Sequence, residues 1–144
     1  MPLKGRNPED GDLIEIDRGF YKHWCVYVGE GDVVHITGLT EMPDSGFVSS
    51  SNGQAKVKRE PLEHVVGDCN YWVNNKYDES RPVYSVDKIL ERANDEVGKI
   101  RRYHAFAKNC EHFATEIRYN EAISDQANTA VAVIMVIGFL ILFI

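Results

Sequence analysis

The final stretch of the chain, Ala127 to Ile144, reads ANTAVAVIMVIGFLILFI, and no charged side chain follows Asp125. As a helix it would span roughly 27 Å, close to the roughly 30 Å hydrocarbon core of a bilayer. A helix apolar on every side has no solvent face to offer in so small a domain. A single charge at mid-membrane would cost about 2.5–3.5 kcal/mol, so its complete absence is informative. Residues 127–144 are therefore read as a C-terminal membrane anchor, short enough to suit a thin bilayer.

The chain has 144 residues, so what precedes that run has the size of one domain, commonly about 100–150 residues. The opening MPLKGRNPEDGDLIEI has no long apolar run and no small-residue cleavage site, so no signal peptide is expected. An anchor at the far end alone predicts attachment to the cytosolic face of an intracellular membrane. Three cysteines, an odd number, suit that reducing compartment better than a disulfide framework. A net charge of −6 argues against a general nucleic-acid binder. The clusters Lys56, Lys58, Arg59 and Lys99, Arg101, Arg102 read as solvated surface that, beside an anchor, can touch anionic headgroups.

Hydrophobic period then changes along the chain. Asp12 to Asp17 suggests a strand after the Gly11 turn, and His23–Val28 and Asp32–Ile36 form two aromatic and β-branched runs. Gly29-Glu30-Gly31 between them signals a hairpin. Residues 38–54 read as a long loop, and Lys56–Glu60 and Cys69–Val73 as further strands. Ser85 can cap a helix with Ile89, Leu90, Ala93 and Val97 on one face and Gly98 as its stop. Asn109 can cap a second helix in which Cys110, Phe113, Ala114 and Ile117 share a face. Strands first and helices after predict an α+β domain, a small antiparallel sheet packed on helices.

Cys110 is the candidate nucleophile. The first turn of a helix offers unpaired N–H groups and the positive end of its dipole. Both lower a thiol's pKa from about 8.5 toward neutrality, and the same N–H groups can hold an oxyanion. Glu111 next to it opposes thiolate formation. An inert buried cysteine is the plainer reading, as for most lone cysteines. His112, roughly 200° further around the helix, points away from Cys110 and is a poor base.

The hairpin offers better bases. His23 and Cys25 share a strand face. If odd positions lie opposite odd ones, His35 joins them as the direct neighbour of Cys25 and the diagonal neighbour of His23. A register shifted by one would send His35 to the other face. Two imidazoles on one face can supply a base and a group that orients it. His23, Cys25, His35 and Cys110 are also conceivable zinc ligands, but H-x-C on one strand lacks the usual paired-ligand spacing. His64 and His104 have no such partner and are left as surface or core.

Taken together, HWCVYVGEGDVVHI, the later NCEHF and the apolar tail resemble the lecithin–retinol acyltransferase family. Within it the chain is similar to the small HRAS-like suppressor proteins, tail-anchored phospholipase A/acyltransferases. GDLIEI and RYNEAISDQ also fit, and the resemblance covers roughly residues 8–144. It implies a catalytic domain over residues 8–122 with a circularly permuted papain-like (NlpC-type) fold, the histidine strands preceding the cysteine helix. It further implies Cys110 as the nucleophile that becomes an acyl-thioester, His23 as its base, and His35 as the third, orienting member. The implied substrates are glycerophospholipids, cleaved at the sn-1 or sn-2 ester. The acyl group then passes to water, to the amine of phosphatidylethanolamine or to a lysophospholipid, with no cofactor and no calcium. Trp24 and Tyr21, flanking His23, are read as an acyl-chain entrance or as core. Cys25, beside the implied base, is a second thiol where a small apolar residue would be unremarkable. The competing readings are a non-catalytic tail-anchored interaction protein and a cysteine protease, though no feature signals a peptide groove.

Overall fold

The computed structural model describes residues 3–38, 54–102 and 108–123. The predicted anchor at 127–144, His104 and nearly all of the predicted loop at 38–54 lie outside them. Among the described residues no helix is long and apolar enough to cross a membrane.

Among the described residues six strands form one antiparallel sheet: β1 (Leu13–Asp17), β2 (Lys22–Gly29), β3 (Asp32–Gly38), β4 (Gln54–Pro61), β5 (Tyr71–Val73) and β6 (Ile100–Arg102). Their spatial order is β5-β1-β2-β3-β4-β6, so the first four run as a meander and the two short late strands cap its edges. Among the described residues three α-helices, α1 (Leu62–Val66), α2 (Val86–Glu96) and α3 (Lys108–Tyr119), and a short 3₁₀ helix at Lys76–Glu79 complete the α+β architecture. The expected sequence of strands followed by helices is corrected here. The helix α1 falls between β4 and β5, and β6 separates α2 from α3. Three-residue strands and a one-turn helix are too short to carry a readable period.

The sheet is covered on both faces, which explains why Leu13-Ile14-Glu15-Ile16 does not alternate cleanly. Leu13, Trp24, Val26, Val34, Ile36 and Val57 pack on one face with Ile89 and Ala93 of α2 and Phe113, Ala114 and Ile117 of α3. Ile14, Ile16, Cys25 and Val33 pack on the other with Leu62, Val65 and Val66 of α1. Each such large side chain contributes roughly 1.5–3 kcal/mol on burial.

The helices start and stop where local chemistry directs. The Ser85 hydroxyl accepts a hydrogen bond from the Lys88 amide at 3.2 Å, and the chain leaves α2 through Gly98 at φ +91°. Asn109, expected to precede α3 as its cap, is instead the second residue of the helix, which begins at Lys108. Cys110 still lies in the first turn. The far end of α3 is pinned by Arg118, whose buried guanidinium donates to the Gly11 carbonyl at 2.7 Å and to both carboxylate oxygens of Asp78 at 3.0 and 2.7 Å. Charge-assisted bonds of this paired kind fix orientation as well as adding stability, so the direction in which α3 presents its N-terminal turn is set from its other end.

Candidate functional site

The turn between β2 and β3 decides which face His35 occupies. Gly29, Glu30 and Gly31 all take positive φ (90°, 57° and 78°), and a bulge lies between Tyr27 and Gly29. Beyond it Tyr27 pairs with Val33 and Val26 with Val34, a register that sets odd positions opposite odd ones. Continued along the strands, it brings Cys25 opposite His35, with His23 diagonal. The parity required for a shared face is the one the structure adopts.

On that face the two histidines meet. His23 Nε2 lies 2.8 Å from His35 Nδ1, with the rings 5.1 Å apart and nearly perpendicular at 80°. The outer nitrogen of His35, Nε2, lies 2.6 Å from a carboxylate oxygen of Glu60 on β4. Both imidazoles are buried. Burial, the neighbouring His35 and the cationic Arg18 together hold the His23 pKa well below its ordinary 6.5. Glu60 is held below the usual carboxylate range, chiefly by its hydrogen bond to His35, against its partial burial.

Sequence reasoning missed Glu60. On β4 it pairs with Val33, while Lys58 pairs with His35, so Glu60 shares the face of His35 and sits diagonally from it. No sequence signal gives that pairing, because residues 39–53 separate β3 from β4. His64, on α1, is exposed and lies close enough to bias the Glu60 charge.

The thiol arrives from the other side of the sheet. Cys110 belongs to the cluster beneath α3, and its Sγ donates to the carbonyl of Lys22 at 3.5 Å. It also faces the N–H of Trp24 and the first-turn amides of Cys110 and Glu111. The sulfur therefore touches the backbone on both sides of His23. The helix N–H groups act in the expected direction, and Glu111 opposes them as expected. The net outcome does not follow the sequence expectation. Burial dominates and pushes the Cys110 thiol up to about 12, so the resting group is a protonated thiol.

The remaining candidates separate. Cys25 is fully buried against α1, and that burial raises its thiol pKa. It therefore has the character of an inert core cysteine. Among the described residues no group of three or more His, Cys, Asp or Glu side chains is disposed to hold a metal ion. His112 lies two positions along α3 from Cys110. Trp24 is a core residue at 1 % exposure, whereas Phe20, at the β1–β2 turn, is 92 % exposed.

A neutral buried imidazole, a second imidazole and a carboxylate behind it, and a thiol at a helix start are groups that nucleophilic acyl transfer can use. Comparison with known proteins points the same way. Residues 6–123 match the family profile described as lecithin retinol acyltransferase. The chain is 41% identical over 131 residues to human (Homo sapiens) phospholipase A and acyltransferase 1, covering 89% of this chain and 77% of that protein. It is 42% identical over 134 residues to mouse (Mus musculus) phospholipase A and acyltransferase 3, covering 91% and 83%. To human phospholipase A and acyltransferase 4 it is 39% identical over 147 residues, covering 98% and 90%.

Proposed function

The chain belongs to the lecithin retinol acyltransferase family, and from that premise we propose that it is a membrane-tethered thiol phospholipase A1/A2 and phospholipid acyltransferase. Cys110 is the nucleophile, His23 its base and His35 the residue that orients the base. The substrate class rests on the relatives named phospholipase A and acyltransferase. The observation that carries the chemistry is the position of the Cys110 sulfur, 3.5 Å from the Lys22 carbonyl and against the Trp24 amide, the backbone groups that flank His23 along β2.

In this mechanism the thiol proton of Cys110 leaves the Lys22 carbonyl and passes to His23. The sulfur attacks the acyl carbonyl of a glycerophospholipid as the imidazole takes that proton. First-turn amides of α3 hold the oxyanion. Collapse breaks the ester bond, and the imidazolium returns its proton to the departing lysophospholipid oxygen. The acyl-thioester left on Cys110 is then attacked by water, by the amine of phosphatidylethanolamine or by a lysophospholipid hydroxyl, with His23 again as base. No calcium enters any step. Because the thiol rests protonated, deprotonation accompanies attack instead of preceding it.

The catalytic unit in this reading is residues 8–122. The order of histidine strands before cysteine helix supports a circularly permuted papain-like arrangement. Residues 127–144 are its anchor, on the cytosolic face of an intracellular membrane. Such a tether raises the effective concentration of enzyme at the esters without new contacts.

The test incubates the full chain with phosphatidylcholine vesicles and reads intact-protein mass and lysophospholipid release, beside Cys110→Ser and His23→Ala. The expected result is an acyl mass on the parent, absent from Cys110→Ser, with lysophospholipid in solution. A parent chain that gains no acyl mass and releases no lysophospholipid supports a non-catalytic binding protein instead.

A further inference from the structure

Along the hydrogen-bonded chain from half-buried Glu60 to buried His23, the protons identify a residue that the thiol–histidine reading leaves unused. A carboxylate is only an acceptor, so at 2.6 Å the His35 Nε2 must carry a hydrogen and donate it. A neutral His35 then has a bare Nδ1, which at 2.8 Å accepts from the Nε2–H of His23. A neutral His23 that donates from Nε2 has its own Nδ1 bare. The anion at one end of the chain therefore dictates which nitrogen is free at the other.

We propose that Glu60 is a positioning residue of this site, its carboxylate selecting the tautomers of both imidazoles so that His23 presents a bare Nδ1 as the base. The inference rests on the thiol-acyl-transfer reading for its kinetic consequence, and on geometry alone for its tautomeric one. As the Cys110 S–H bond breaks, the proton passes to His23 Nδ1 and a positive charge appears on that ring. Glu60 offsets the charge through His35. The proton then leaves with the lysophospholipid oxygen, and the tautomers are restored.

The other charged and titratable groups facing this pair are Lys58, across from His35 on β4, His64 on α1, Arg18 before β2 and the Cys25 thiol, whose pKa burial raises. The first three are basic and the thiol is protonated, so among the described residues Glu60 is the acid that answers the developing imidazolium. An amide in its place can donate to His35 Nε2 and reverse the whole chain, leaving hydrogen on His23 Nδ1 where it blocks the base.

Two measurements on the full chain in mild detergent test this. Nitrogen-15 NMR of histidine-labelled protein at neutral pH is expected to show bare Nδ1 and protonated Nε2 on both His23 and His35. In Glu60→Gln the reversed tautomer is expected to appear. A parent chain with hydrogen on His35 Nδ1 overturns the proposal whatever the variants do. In the second measurement, Glu60→Gln is expected to lower kcat/KM on phosphatidylcholine roughly 10- to 100-fold with KM nearly unchanged. That is less than the loss of about 10⁴ when a carboxylate directly on a catalytic base is neutralised. Its acidic limb is expected to move to lower pH, and Glu60→Gln added to His35→Ala is expected to cost little more than His35→Ala alone. Parent-like kinetics in Glu60→Gln, or full additivity with His35→Ala, overturns the proposal. A parent chain that forms no acyl-enzyme refutes the acyl-transfer reading and leaves the nitrogen assignment to be judged by its own spectrum.

Discussion

Burying His23 in its neutral form makes the fold sensitive to mild acid. The folded pKa lies well below 6.5, for want of solvent and because His35 and Arg18 are close by, whereas the unfolded imidazole titrates near 6.5. Below that pH the unfolded chain binds a proton that the folded chain refuses, so stability is complete above about pH 6.5 and falls as pH drops. One proton bound by the unfolded state alone tilts the curve by at most about 1.4 kcal/mol per pH unit. The expected loss between pH 7.5 and 5.5 is therefore up to about 1.4 kcal/mol, most of it below 6.5. Carboxylates held low, such as Asp12, Glu60 and Asp78, lose their contribution at more acid pH, starting near their unfolded values of about 4, so they stay out of this window. The assay is urea unfolding of the full chain in detergent at half-unit pH steps, followed by the fluorescence of Trp24 and Trp72. His23→Phe, which cannot titrate, serves as the reference. If parent and His23→Phe have parallel profiles from pH 7.5 to 5.5, burial of a neutral His23 is not the source of the slope and the reasoning fails.

Three further outcomes follow from the same structure. With iodoacetamide at pH 7.5 and no lipid present, the half-buried Cys69 is expected to be alkylated before Cys25 and Cys110, which are buried with raised pKa values. Peptide mapping showing Cys110 modified first would contradict the protonated thiol. Phe113→Ala, removing a ring at 1 % exposure beneath α3, is expected to cost about 3–5 kcal/mol, measured by urea denaturation. Ser85→Ala, removing the hydroxyl that accepts from the Lys88 amide, is expected to cost about 0.5–2 kcal/mol by the same measurement, without altering acyl transfer.

The long elements were readable because each carries its own pattern. Ser85 and Gly98 bracket α2, and the paired runs around Gly29-Glu30-Gly31 mark the hairpin and, through parity, the meeting of His23 with His35. What escaped depends on distant partners. Glu60 joins the site through the β3–β4 pairing, which no local residue announces. The one-turn helix α1 is specified by the apolar face it covers at Ile14 and Cys25. The thiol pKa escaped for a different reason. Helix amides near Cys110 are a local feature and were foreseen, but the desolvation that outweighs them comes from the core assembled around the helix. Local geometry gave the sign of each contribution, and tertiary burial decided their sum.

The order of pieces in the sheet has a consequence for the chain during its synthesis. His23, His35 and Glu60 all lie on the β2–β3–β4 part of the meander, whose strands pair with their sequence neighbours. The β2–β3 hairpin is local and closes early, β4 joins it across residues 39–53, and a chain made from its N-terminus offers all three strands before α3. Cys110 comes on α3, after both edge strands and α2. On the proposed chemistry, a nascent or prematurely ended chain carries the acid–base relay but no nucleophile. On that chemistry, translation withholds lipolytic capacity until α3 has been made and docked.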